Sequence, residues 1–284
     1  MSHEPLRALL IIDPQNDFCD LPAAALPAQS AASGPPVRPA LPVPGGDRDM
    51  VRLAEFVHRA GDRFSTIHVT LDSHHPLHIA HPRWWIDAHG DPPAAFTTIR
   101  AADVRALAWR ARNPQWQDRS RAYVDALEAG GRYALVIWPE HCLVGHWGHN
   151  VHGALARELD RWARDRLTTV DYVLKGSNPF TEHYSALQAE VPDPADPGTQ
   201  PNRALIDALA AADAIVVAGE ALSHCVASTV RDIARFLGTA KIPALTLLTD
   251  CTSSVGGFEP FGKAFLDEMT AQGMKAACSV DLFA

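Results

Sequence analysis

No apolar run in the sequence approaches the roughly 20 residues a helix needs to cross a bilayer. Runs such as Ala8-Leu9-Leu10-Ile11-Ile12 are strand-sized. Basic residues are in deficit, with Lys+Arg 25 against Asp+Glu 33 and a formal net charge of -8. That balance argues against nucleic acid or an anionic membrane as partner. The first residues, Met1 to Arg7, have no basic stretch followed by a long apolar one, so no signal peptide is expected. The five cysteines are an odd count with no CxxC spacing. This argues against a disulfide framework and a four-cysteine zinc site, and the expectation is a reduced, cytoplasmic protein. What is present is an ordinary globular balance, 47% hydrophobic and 20% charged over 284 residues, enough for a sizeable core.

Strand-like and helix-like patterns alternate along the chain. Leu6–Ile12, Phe64–Leu71, Tyr133–Trp138, Thr168–Leu174, Ala214–Ala218 and Ala244–Leu248 read as short apolar strands. Asp47–Ala60, Ser120–Ala129, Asn150–Arg166, Asn202–Ala211, Ser223–Leu237 and Pro260–Gly273 read as helices. Such alternation predicts an α/β fold with a parallel sheet and right-handed crossovers. No repeat and no linker divides the core, so one domain over 1–284 is expected, with insertions at about 21–46 and 76–131. The first is Pro/Ala-rich and without period; the second reads as largely irregular.

In a parallel sheet, chemistry collects beyond the carboxyl ends of the strands. The residues found there are Asp13, Asp72 with His74, His141, Lys175 and the turn from Gly219 to Cys225. Cys225 sits where a strand and a glycine turn run into a helix. The helix dipole and free N–H groups there favour a thiolate and are able to hold an oxyanion; the alternative is a buried structural cysteine. Asp13 follows a buried strand, as a general base or as a turn residue before Pro14. Lys175 ends another strand and gains interest only from the company of Asp13 and Cys225. Asp72-x-His74 puts two ligand types on one face of an extended segment, and His75, His78, His81 and His141 are further nitrogens. His146, His149 and His152 read as loop and helix-face residues. Trp84, Trp85, Trp138 and Trp147 are candidate walls for a flat ring.

The ordered set resembles the isochorismatase-like cysteine hydrolases, and most closely their nicotinamidase/pyrazinamidase branch. The resemblance is carried by Ile11-Ile12-Asp13-Pro14-Gln15-Asn16-Asp17-Phe18-Cys19, Asp72-x-His74, Trp138-Pro139-Glu140-His141-Cys142, Lys175-Gly176 with Glu182-His183-Tyr184-Ser185-Ala186, and Gly219-Glu220-Ala221-Leu222-Ser223-His224-Cys225-Val226. It implies a three-layer sandwich whose six-stranded, mainly parallel sheet carries helices on both faces. It implies Cys225 as nucleophile, Asp13 as proton acceptor, Lys175 as third member, and a cis peptide between Glu220 and Ala221 that aims the N–H groups of Ala221 and Cys225 at an oxyanion. It implies a divalent metal, Zn2+ first and Mn2+ or Fe2+ as alternatives, on Asp72, His74 and His141. His81 is the first candidate for a fourth ligand and His78 the second. Phe18 and Glu182 take supporting roles at the substrate. The implied activity is deamidation of nicotinamide to nicotinate and ammonia, in NAD salvage, by a homo-oligomer.

The chain departs from the family pattern in its two insertions and in Leu143-Val144-Gly145-His146-Trp147-Gly148, which replaces a short polar sequence. The alternatives are an amidohydrolase of another small carboxamide or ureido compound, and a non-catalytic binding module.

Overall fold

The computed structural model describes residues 5–28 and 37–284. Its centre is a six-stranded parallel sheet in the order β10-β9-β8-β1-β2-β7. These strands are β1 (Arg7–Ile12), β2 (Thr66–Asp72), β7 (Asp171–Lys175), β8 (Ala214–Gly219), β9 (Leu245–Leu248) and β10 (Lys275–Ala277). Sequence Ala8 to Ile12 is apolar without alternation because both faces of β1 are covered, and all five residues are fully buried. Leu9 and Ile11 pack on one side with Met50, Leu53 and Phe56 of α1 (Gly46–Ala60) and Leu155, Leu159 and Trp162 of α4 (Gly153–Arg166). Leu10 and Ile12 pack on the other with α3 (Gln117–Gly130), α5 (Arg203–Ala211), α6 (Ala227–Leu237) and α7 (Glu259–Ala271), through Val124, Leu205, Val230 and Phe265. Truncating Leu10 to alanine in such a layer costs about 2–5 kcal/mol.

Two strand assignments need correction. Tyr133–Trp138 does not join the sheet. Only β6 (Leu135–Val136) is extended there, and it pairs antiparallel with β4 (Thr98–Ile99). The run is apolar because it packs into the core from the inserted region, and hydrophobicity alone does not say which partner a strand finds. The sixth sheet strand is instead β10, an edge strand of three residues with two exposed, which carries no apolar signal. The 76–131 region is also more ordered than expected. It holds β3 (Trp85–Ile86) paired with β5 (Arg110–Ala111), β4, the short α2 (Ala101–Arg105) and α3.

Part of the 21–46 insertion lies outside the described residues. Its end docks back on the β1 loop, where Leu41 N–H donates to Asp17 O and Val43 N–H to Phe18 O. No helix among the described residues is long and apolar enough to cross a membrane.

Candidate active site

The carboxyl ends of β1, β2, β7 and β8 lie side by side, so Asp13, Asp72, Lys175 and the turn after Gly219 converge. Two glycines allow the close approach. A Cβ on Gly219 (φ +111) would stand 2.0 Å from Ile12 O, and one on Gly176 (φ +84) would stand 2.9 Å from Asp72 Oδ1.

Lys175 is the hub. Its Nζ is 2.8 Å from Asp13 Oδ2 and 3.1 Å from Asp72 Oδ1, donates to His183 O at 2.9 Å, and lies 3.6 Å from Cys225 Sγ. Burial works against its charge, but Asp13, Asp72 and Cys225 outweigh it and hold the ammonium well above its usual range. Burial raises Asp13, with Lys175 opposing and Asp72 adding to the rise. Thr70 Oγ fixes the Asp13 carboxyl at 2.5 Å and accepts from Asp13 N–H at 3.0 Å.

Cys225 stands in a π-helical turn, Leu222–Val226, that precedes α6, rather than in the first turn of an α-helix. The thiolate preference of the local geometry is opposed by burial. Burial pushes the thiol well up; Lys175 lowers it and Asp13 and Asp72 raise it. Burial thus favours the thiol form, with the Asp13 carboxyl within hydrogen-bonding reach. The Glu220–Ala221 peptide is cis. Among the described residues no carbonyl accepts from the Ala221 N–H.

Beside this trio lies a nitrogen cluster. His74 Nε2 and His141 Nε2 face the same oxygen, Asp72 Oδ2, at 3.0 and 3.3 Å. Their Nδ1 atoms are directed at Gly176 O (3.1 Å) and Pro139 O (2.8 Å), which leaves each Nε2 as the inward lone pair in the neutral tautomer. Two lone pairs and a carboxylate oxygen facing one another need a cation between them. Either protons or a metal ion supply it, and without metal Asp72 raises His74 against the effect of burial. His141 reaches this place because its loop bridges to β2, with His74 N–H donating to Cys142 O and Val144 N–H to His74 O.

His81 and His78 are distinguishable. Both are fully buried. His78 is satisfied, Nε2 against Thr181 O at 3.1 Å and Nδ1 accepting from Ala80 N–H at 3.2 Å. Neither ring nitrogen of His81 makes a well-formed hydrogen bond, although the Pro76 backbone lies near enough to oppose the effect of burial. Burial, with His74 and His141, takes it down to about 2, so it is a neutral imidazole with a free lone pair. His74, His81 and His141 offer nitrogens within 4.8 Å of one another, and two nitrogens of His74 and His78 lie equally near a carboxylate oxygen of Glu182. The donor set of neutral imidazoles and one carboxylate fits a borderline divalent metal.

A small, partly open cavity lies above these groups. Phe18, Leu41, Trp138, Tyr184, His224 and Val255 form its walls, with Cys225, Ala221, Asp72, His141 and Glu182 at its base. Phe18 stands edge-on to His141, centroids 5.4 Å apart. Burial raises Glu182, whose Oε2 has no partner. Three of the four candidate tryptophans are not walls. Trp84 and Trp85 are core residues bonded to Ser120 Oγ and Ile79 O, and Trp147 lines a separate surface cleft. His152 caps α4, and His149 bonds Ser73 Oγ at 2.9 Å.

Sequence reasoning missed three groups. Gln15 brackets Asp72, donating to its carbonyl at 2.8 Å and accepting from its N–H at 2.7 Å. Thr70 orients Asp13. His224, held by burial at about 4 and therefore neutral, completes the wall. Gln15 lies two residues after Asp13, inside the first motif; Thr70 has no signal beyond lying in a strand.

No family model matches the chain, and no curated protein matches it by sequence. Solved structures do. A nicotinamidase/pyrazinamidase from Acinetobacter baumanii aligns over 100% of both chains at 19% identity and TM-score 0.62. The yeast nicotinamidase aligns over 96% of this chain and 99% of its own at 19% identity and TM-score 0.60. A Pyrococcus horikoshii pyrazinamidase, in complex with zinc, aligns over 96% and 99% at 19% identity and TM-score 0.54. The protein therefore has the α/β fold of these nicotinamidase and pyrazinamidase structures.

Proposed function

We propose that the protein is a metal-dependent cysteine amidohydrolase that converts nicotinamide to nicotinate and ammonia. The observation that carries this reading is the convergence of Asp13, Lys175 and Cys225 at the base of an aromatic-walled cavity, directly beside the His74/His81/His141 nitrogens. The likeness in fold to nicotinamidases supports it.

The chemistry follows from the resting state. Asp13 takes the proton of the Cys225 thiol as the sulfur attacks the carboxamide carbon, and Lys175 stabilises the anion pair. The tetrahedral oxyanion is received by the N–H groups of Ala221 and Cys225. Asp13 returns the proton to the leaving nitrogen, ammonia departs, and a thioester remains. Water then attacks the thioester; Asp13 accepts a water proton and returns one to the departing sulfur, and the carboxylic acid leaves. Asp72, His74, His81 and His141 would hold the metal. When bound, it supplies a Lewis acid able to take an aromatic ring nitrogen and so orient the ring. Phe18 and Trp138 flank the ring, and Glu182 supports the base of the site.

The test is ammonia and nicotinate release from nicotinamide, run beside other small carboxamides and ureido compounds, with and without a chelator. Chelator-sensitive turnover of nicotinamide is the expected result. Turnover of a different amide alone keeps the cysteine chemistry and moves the substrate. No turnover of any amide by the metal-loaded protein overturns the reading.

A further inference from the structure

Glu220 follows β8 directly, its side chain is wholly buried, and the chemistry above makes no use of it. Its backbone N–H donates to Ile12 O at 2.8 Å, and its Oε2 accepts from Ser253 N–H at 3.2 Å. Ser253 Oγ in turn donates to Asp49 Oδ2 at 2.5 Å. One serine thus bridges two carboxyls, one on the nucleophile turn and one on α1. Those carboxyls lie within hydrogen-bonding reach of each other. Glu220 Oε1 meets no donor.

The surrounding charges are mostly negative. Arg52 lies against the other Asp49 oxygen at 3.1 Å. Asp20 accepts from the N–H groups of Gly45 and Asp47, and His152 faces Asp47 at 3.0 Å. No cation among the described residues pairs with Glu220. A wholly buried carboxylate beside a second carboxylate, with no cation of its own, is the less stable form of such a group.

We propose that Glu220 is a positioning residue that carries a proton: its carboxylic acid donates to Asp49 and accepts from Ser253, tying the turn that bears Ala221 and Cys225 to α1. Burial and the Asp49 charge both act to keep that proton in place. Segment 251–255 holds the same turn by its backbone, through Gly219 N–H on Cys251 O, Leu222 N–H on Ser253 O and Val255 N–H on Ser223 Oγ. The Glu220 acid adds the side-chain tie to the opposite layer of the sandwich. Its kinetic consequence rests on the amidohydrolase reading; the tie itself does not.

The test compares Glu220→Gln, which keeps a donor and an acceptor of the same shape, with Glu220→Ala, in the full chain. Amide hydrogen exchange over 219–226 is read together with kcat and KM for nicotinamide. Glu220→Gln is expected to keep protection and kcat within about twofold. Glu220→Ala is expected to lose about tenfold or more in protection over 219–226 while β1 and β2 stay protected, and to lose kcat by a similar factor with KM little changed. The wild type is also expected to show a protonated-carboxyl C=O band in the infrared that Glu220→Gln lacks. A Gln variant as loose as the Ala variant, or an Ala variant whose turn exchanges like wild type, overturns the proposal. If no form hydrolyses nicotinamide, the functional reading fails, while exchange and infrared still decide the role of Glu220.

Discussion

Lys175 Nζ stands 2.8 Å from Asp13 Oδ2, with both side chains sealed from solvent. The same ammonium reaches Asp72 at 3.1 Å, so one buried cation ties the Asp13 carboxyl beside Cys225 to the carboxylate of the nitrogen cluster. Removing one partner of such a pair leaves buried charge uncompensated. Lys175→Gln is expected to lose about 3–5 kcal/mol of unfolding stability and most turnover. Chemical denaturation beside an ammonia assay at low temperature checks both; unchanged stability would remove Lys175 from its central place.

Cys225→Ala is expected to lower ammonia release by about a thousandfold or more, as removal of a covalent nucleophile does. Metal content and ligand binding should be unchanged, since Cys225 is not in the nitrogen cluster. Turnover near the wild-type rate in this variant would assign the chemistry elsewhere.

His81 and His78 are three residues apart and equally buried, yet they are expected to differ as metal ligands. Neither His81 nitrogen makes a well-formed hydrogen bond, while both His78 nitrogens are engaged. His74→Ala and His81→Ala should each lower bound metal, read by elemental analysis after dialysis, and His78→Ala should retain it. The reverse order for His78 and His81 would move the fourth ligand.

Glu190 supplies a pH signature remote from the reaction. Burial pushes its carboxyl up to about 7, with Arg132 opposing and Asp232 and Glu182 adding to the rise. The folded protein therefore holds a proton between about 4.5 and 7 that the unfolded chain has released, and each unit of that difference is about 1.4 kcal/mol. The contribution of Glu190 is most favourable at the acid end and falls as pH rises through 7. Glu190→Gln should thus gain stability relative to wild type at pH 8 and not at pH 4.5. Equal differences at both pH values would show that Glu190 ionises as it does in the unfolded chain.

Much of this arrangement was legible in the sequence because parallel sheets expose their strand ends. An apolar run such as Ala8–Ile12 announces a strand covered on both faces, and the polar residue that follows it is placed by topology. Asp13, Asp72, Lys175 and Cys225 were found in that way. The partners that orient them were not. Thr70 and Gln15 act through long-range pairings that a sequence scan does not contain, and β10 carries too little apolar surface to register. His141 was expected after a sheet strand; it arrives instead on a loop bridged to His74. Local helix geometry favours a thiolate at Cys225, and the burial that opposes it is a property of the fold that the sequence does not display.

Leu41, within the 21–46 region, sets a size limit on the cavity. Leu41 is buried and lines the cavity wall. Leu41→Ala should raise kcat/KM for ring-substituted carboxamides over nicotinamide by about tenfold or more, the scale at which a missing side chain changes a hydrophobic pocket. An unchanged ratio would place the substrate away from this wall.

In the proposed reaction Cys225 carries the acyl group. Mass analysis of the protein, acid-quenched during nicotinamide turnover and cut into peptides, tests it directly. One nicotinoyl group is expected on the peptide containing Cys225, absent from Cys225→Ala. Ammonia release from a wild-type protein that bears no adduct at Cys225, matched by undiminished release from Cys225→Ala, would contradict it.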